Sequence, residues 1–355
     1  MTELLLGTKK GLFALEGDAG DGEFEVRSRA FAGEPVDFAM RDPVSGRAIA
    51  TSTSPFYGPK IFFADDLDGE WTQAEGVALP EGGEHALERI WVIVPGDGGA
   101  LYAGGDPGVL FESRDGGATW ELNRPLWEHR VSEDWQPGGG GLCLHSIVPW
   151  PGEPDRLAIA VSAAGVWLTE DHGETWRRGN RGIRPRYLPD DAPEDTFQLC
   201  VHRMERARRS PERMFIQFHG GVYRSDDAGG SWTAIGDGLP SDFGFPLALD
   251  PADPDSAYVI PLTGDFDRVT PEGHVRVYET RDGGATWTPR GDGLPAEQAY
   301  LTVLRRAFDQ TGEGEGLQLY FGATSGDVFG SGDAGESWFT VATRLPPVFS
   351  VTAIG

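Results

Sequence analysis

The sequence predicts an all-β chain, a seven-bladed β-propeller in which residues 1–355 form one domain. Three observations carry that expectation. Apolar runs of only five to eight residues alternate with turn residues in a chain holding 51 Gly, 26 Pro and 11 Trp. No stretch shows the 3.6-residue apolar period of a long helix. A turn motif recurs at nearly constant spacing, which is the signature of a repeat architecture.

The motif is [ST]xDxGx[ST]W, present as SRDGGATW (113–120), TEDHGETW (169–176), SDDAGGSW (225–232), TRDGGATW (280–287) and SGDAGESW (331–338). Each copy follows an apolar strand and leads into another short one, so it reads as a hairpin turn. The aspartates Asp115, Asp171, Asp227, Asp282 and Asp333 can accept backbone N–H bonds across the turn. Glycine supplies a conformation closed to other residues, and the hydroxyl residue adds a local bond. The Trp then starts the outer strand and packs between neighbouring sheets.

Trp120, Trp176, Trp232, Trp287 and Trp338 are 56, 56, 55 and 51 residues apart, the length of one four-stranded blade with its loops. A worn copy, ADDLDGEW (64–71), ends on Trp71, and Phe24 holds the equivalent place one unit earlier. That gives seven units. The first lacks an innermost strand, while VFSVTAIG (348–355) is left over after the last turn. Pairing the C-terminal strand with the first blade closes the array and removes its open edges.

The formal charge of −26, from 56 acidic and 30 basic residues, repels phosphate backbones and anionic membrane, so neither nucleic acid nor a membrane is an expected partner. The N-terminal LLL run is too short for a signal or membrane segment. Two cysteines, Cys143 and Cys200, make no disulfide framework. A reduced, cytoplasmic protein is the expectation.

Five intact Asp-box turns resemble the BNR/Asp-box superfamily, which includes sialidases, other glycoside hydrolases and non-enzymatic propellers. GTKKGLF, SPFYGP, WQPGGGGLCLHSI, LPSDFGFP and AYVIPL are similar to strings of bacterial BNR-repeat proteins labelled sialidase-like or glycosyl hydrolase. The resemblance implies the fold. Sialidases have six blades and an arginine triad whose first member lies in [FY]RIP. The nearest string here, ERIW (88–91), is in the wrong blade and lacks the proline, so sialidase activity itself is not expected. A shared fold does not carry a shared reaction.

In a propeller the face at which inner strands start also collects the blade connections and the loops between middle strands, and function is expected there. The long segments 78–88, 123–141, 178–197, 237–245, 51–59, 218–221 and 261–274 all fall on that face. Aligning inner strands by their downstream prolines sets His145 opposite His202 and Cys143 opposite Cys200, with Arg89 and Asp37 at about the same level. His85, His129 and His219 lie on nearby loops, so five of seven histidines converge. Tyr57, Trp127, Trp135 and Tyr187 offer stacking faces, and Asp195, Asp265 and Asp267 are carboxylates on mouth loops.

These residues admit three readings. The histidines can be structural, satisfied by backbone groups. They can be acid/base groups, with Arg89 steadying a carboxylate or oxyanion beside Asp37, as a hydrolase or lyase of an acidic sugar requires. Or His145 and His202, with His85 or His219, can hold a divalent metal, although no HxH or HExxH spacing supports it. No cofactor is otherwise expected. A small-molecule or oligosaccharide ligand is the expected partner, and the alternative is a non-catalytic propeller that binds a protein.

Overall fold

The computed structural model describes residues 1–355 except 83–84, 185–188, 190, 192–197 and 265. The described residues form five four-stranded antiparallel sheets and one eight-stranded sheet. In the latter, two four-stranded halves meet at a single parallel pair, Arg306 with Ser350.

The first strand of each sheet packs on the first strand of the next, in the order Val36–Arg41, Arg89–Pro95, Leu144–Trp150, Val201–Arg206, Gly244–Leu249 and Val303–Thr311. Val348–Ile354 follows and packs back on Val36–Arg41, closing a ring. Sheets arranged around such a ring are consistent with a β-propeller. Among the ring strands Gly244–Leu249 is a continuous apolar run rather than an alternating one because both its faces are covered: every residue of it is buried. Val348–Ile354 also pairs antiparallel with Thr2–Thr8, whose Leu4, Leu5 and Leu6 are fully buried.

Each of the five motif aspartates organises its turn in the same way. Asp282 accepts Thr286 N–H at 2.9 Å, Thr286 Oγ1–H at 2.6 Å and Thr280 Oγ1–H at 2.8 Å, while Thr280 Oγ1 accepts Gly284 N–H at 2.8 Å. Gly284 has φ +91, and a Cβ there would come within 2.5 Å of Ile235 in the preceding sheet. Bonds to the ionised form hold all five carboxyls below the usual range, Asp282 at about 2, led by the Thr286 hydroxyl.

The tryptophans that follow join neighbouring sheets. Trp120 N–H donates to Glu75 O, Trp232 N–H to Arg181 O and Trp338 N–H to Asp292 O, at 2.8 to 2.9 Å. The indoles of Trp232 and Trp287 reach back to Gly179 O and Ile235 O, at 2.7 and 2.6 Å. In the place of the missing first tryptophan, Phe24 packs on Tyr320 and Phe339, with ring centres 5.7 and 6.2 Å away.

The segment 123–141, expected as a loop, contains a helix, Arg124–Ser132. Asn123 Oδ1 caps it by accepting Leu126 N–H at 2.8 Å, and Pro125 sits in the first turn, where its missing N–H costs nothing. No described helix is long and apolar enough to cross a membrane.

Candidate functional site

Every ring strand departs from regular pairing near its start. The register shifts across Val36/Phe38, Ile90/Val92, Leu144/Ser146 and Val201/Arg203, and opposite Gly7/Thr8 in the strand Val348–Ile354. Longer irregularities span Gly244/Leu247 and Val303/Phe308. An extra residue in one strand is unpaired and its side chain is re-aimed. The residues so placed are Asp37, Trp91, His145, His202 and Phe349, with Phe245 and Arg305 inside the longer irregularities. The irregular register therefore builds a belt of side chains around one end of the ring.

Asp37 and Arg89 meet in that belt. The Arg89 Nε lies 3.3 Å from Asp37 Oδ1, and Thr53 Oγ1–H donates to Asp37 Oδ2 at 2.6 Å. The Asp37 side chain is 4% exposed, and burial pushes its carboxyl above the ordinary range despite the opposing pull of Arg89 and Thr53. The Arg89 guanidinium also stands 4.5 Å from the centre of the Trp91 ring. By strand register Trp91, rather than Arg89, is the counterpart of Asp37, and Arg89 reaches the same level from two residues earlier.

Arg305 is the feature that repeat alignment missed. Its guanidinium lies 4.8 Å from the Phe245 ring centre and 5.8 Å from that of Trp91, stacked against aromatic faces. Among the described residues its one hydrogen bond is a long one, Nη2–H to Ser162 Oγ at 3.4 Å, and its buried Nε has no partner. Burial, followed by the charges of Arg268 and Arg89, pulls Arg305 below its ordinary value. Arg268 shares the Phe245 ring, at 5.5 Å. Three guanidiniums thus gather at this end of the ring, with the carboxyls of Asp37 and Asp106 near Arg89.

The two histidines occupy equivalent positions but differ in surroundings. His145 is 0% exposed: Nε2–H donates to Val201 O at 2.8 Å, and Nδ1 faces Ser146 Oγ at 3.0 Å. Ser162 Oγ–H donates to the same Val201 carbonyl at 3.1 Å. Both ring nitrogens are occupied, and no edge reaches solvent. His202 is nearly as buried, donating Nδ1–H to Gly244 O at 2.6 Å, with its ring against Phe243, Phe245 and His219. Burial first and Arg305 second hold both imidazoles well below their ordinary pKa, so both are neutral.

The remaining expected residues scatter. His219 joins His202, but His85 is exposed, with its ring centre 5.9 Å from that of Trp127. His129 sits on the helix and packs against Trp135 and Trp167, and burial lowers its pKa. The convergence of five histidines therefore reduces to one pair, because the helix turns 123–132 into a packed layer. Trp135 is buried against Trp167 with ring centres 5.0 Å apart, so it presents no open stacking face. Tyr57 is exposed beside Phe56, and Asp267 accepts Thr263 Oγ1–H at 3.1 Å. Tyr187, Asp195 and Asp265 lie outside the described residues.

The cysteines also part. Cys143 is buried, its thiol donating to Gly140 O at 2.9 Å, and burial pushes it up to about 12. Cys200 is half-buried, beside His202 and His219.

A cavity of about 700 Å³ opens at the opposite end of the ring, where the strands finish. Arg203, Arg306, Glu205 and Asp309 line it. Glu205 lies 2.5 Å from Arg203 Nη2 and 3.8 Å from Arg306 Nη1, and burial brings Arg306 down to about 9. Arg41, Arg206 and Arg208 line it too, beside Asp250 and Glu313, so this end of the ring is also rich in guanidiniums.

No family model and no curated protein matches the chain. Solved structures do. A putative 6-phosphogluconolactonase from Bacteroides uniformis matches with TM-score 0.61 and 12% identity over 99% of each chain. A GH74 enzyme from Niastella koreensis matches with TM-score 0.58 and 16% identity, over 94% of this chain and 53% of that one. YCF48 bound to D1 peptide matches with TM-score 0.50 and 12% identity, over 83% and 77%. The chain spans about half the length of the GH74 enzyme. At such identities the likeness is one of β-propeller fold alone, shared by proteins that differ in what they do.

Proposed function

We propose that the end of the ring at which its strands start binds a carboxylated sugar, and that the protein is a hydrolase or lyase of acidic carbohydrate. The reading takes 1–355 as one domain of seven four-stranded blades, with the eight-stranded sheet counted as two and the motif turns as Asp-boxes. Arg305 carries it: a guanidinium held among aromatic faces, with its Nε unpartnered and Arg89 and Arg268 close by. Partly desolvated guanidiniums bind carboxylates strongly and in a fixed plane. In a protein of charge −26, such a concentration of positive charge invites an anionic ligand.

Asp37 is the proton carrier in this reading. Its raised pKa lets it hold a proton at higher pH than a free carboxyl, and Arg89 and Thr53 fix its orientation. In a lyase, the arginines stabilise the charge that develops on the substrate carboxylate when the adjacent carbon loses its proton. In a hydrolase, a second carboxyl is required. Asp106, also raised by burial and lying in the field of Arg89, is the candidate. His145 and His202 bond to backbone carbonyls of the next ring strand and join neighbouring sheets.

Incubation with uronate-containing oligosaccharides tests the reading. A lyase yields unsaturated products that absorb in the ultraviolet, and a hydrolase yields new reducing ends without that absorbance. Asp37→Asn is expected to abolish turnover while leaving binding. Turnover of neutral glycans alone, or unchanged turnover in Asp37→Asn, overturns the assignment.

One observation favours a second reading, a protein-binding propeller. Phe56, Tyr57 and Phe266 are exposed on loops at this same end, Phe266 at 97%. A stoichiometric protein partner lost in the Phe56→Ser, Phe266→Ser double variant supports that reading over catalysis.

A further inference from the structure

Cys200 and His219 are neighbours across a hairpin. Val201 pairs with Phe218, and the next residues outward are Cys200 and His219, joined by His219 N–H donating to Cys200 O at 3.0 Å. Two residues on from Cys200, the shift at Val201/Arg203 re-aims His202. One sulfur and two imidazole nitrogens come within 4.8 Å of one another. The Nδ1–H of His202 is spent on Gly244 O at 2.6 Å, which leaves Nε2 with its lone pair. A backbone carbonyl holding the far nitrogen is the usual support of a metal-bound histidine.

We infer that Cys200, His202 and His219 form a site for a thiophilic divalent transition metal, zinc in the first instance, with its fourth position open to water or an anionic ligand. One thiolate and two imidazoles suit zinc or cobalt and not calcium or magnesium, which prefer oxygen. With metal–sulfur and metal–nitrogen bonds of about 2.0–2.3 Å, tetrahedral ligands lie about 3.3–3.8 Å apart. The trio therefore closes by roughly 1 Å on binding, a movement for the half-buried Cys200 and His219. Thiolate and dication leave one positive charge near Arg305, which shares the Phe245 ring with His202, and that favours an anion over water in the fourth position.

The site stands independently of the carbohydrate reading and is tested without a substrate. The purified full-length protein is stripped with a chelator and titrated with cobalt(II) under reducing conditions. We expect saturation at one cobalt per chain, with a thiolate-to-cobalt charge-transfer band that zinc displaces. Cys200→Ser is expected to lose the band, His219→Ala to weaken cobalt binding, and Cys143→Ser, whose thiol is sealed against Gly140, to behave as wild type. Absence of saturable binding, or a band that persists in Cys200→Ser, overturns the inference. Acidic-oligosaccharide binding by the stripped protein is measured in parallel, so that failure of the metal site and failure of the Arg305 site are separately visible.

Discussion

His145 donates from Nε2 to the carbonyl of Val201 at 2.8 Å, joining the ring strands of two neighbouring sheets through a fully buried imidazole. Ser146 extends the junction, with its Oγ accepting Met204 N–H at 3.0 Å. His145→Ala removes the donor and leaves a void beside it. Losses of about 2–4 kcal/mol follow from cavity formation together with the lost hydrogen bond, the Val201 carbonyl keeping only the Ser162 hydroxyl. Urea unfolding is expected to show that loss, while folded variant binds acidic oligosaccharide as wild type does.

The five motif turns predict acid sensitivity with a definite sign. Their aspartates have depressed pKa values in the folded state, so the stability they contribute is present above the unfolded value near 4 and is lost as pH falls toward 2. The melting temperature of wild type is expected to drop through that window. Asp282→Asn, with nothing to protonate at that turn, is expected to start lower and fall less steeply, and parallel curves contradict the assignment.

Gly293 tests the contacts between sheets. Its φ is +84, and an added Cβ would come within 2.0 Å of the carbonyl of Trp338. Gly238 shares the backbone conformation, at φ +92, but has open space around it. Gly238→Ala measures the conformational penalty alone, about 1 kcal/mol. Gly293→Ala is expected to cost clearly more, as read by thermal unfolding of the two variants side by side.

Ring closure depends on the strand Val348–Ile354. Truncation after Pro347 strips the partner from Thr2–Thr8 and uncovers Leu4 and Leu6 along an unpaired edge. The truncated chain is expected to lose cooperative unfolding and to aggregate, and adding a peptide of residues 348–355 is expected to restore part of the transition.

The repeat was legible because its turns are local: Asp282, Thr280, Thr286 and Gly284 lie within seven residues and satisfy one another. The meeting of Asp37 and Arg89 was also legible in outline, since both lie at the start of ring strands. Arg305 was not, because the irregular stretch Val303–Phe308 breaks the alignment that placed the others. The buried state of His145 depends on a carbonyl 56 residues away, which no local pattern encodes. The helix Arg124–Ser132 was signalled by Asn123 and Pro125, but it is short and weakly amphipathic, and its glycine-rich continuation looked like loop.

The central claim is that Arg305 anchors an anionic ligand. Isothermal titration of wild type, Arg305→Gln and Arg89→Gln with an oligogalacturonate, and of wild type with the neutral galactose oligomer, tests it most directly. A charge-assisted bond of about 1.5–3 kcal/mol corresponds to roughly 10–150-fold in affinity. Arg305→Gln is expected to weaken binding by that factor with its melting temperature retained, Arg89→Gln to weaken it less, and the neutral oligomer not to bind. Equal affinity of wild type and a folded Arg305→Gln for the acidic oligomer, or equal affinity of wild type for both oligomers, contradicts the claim.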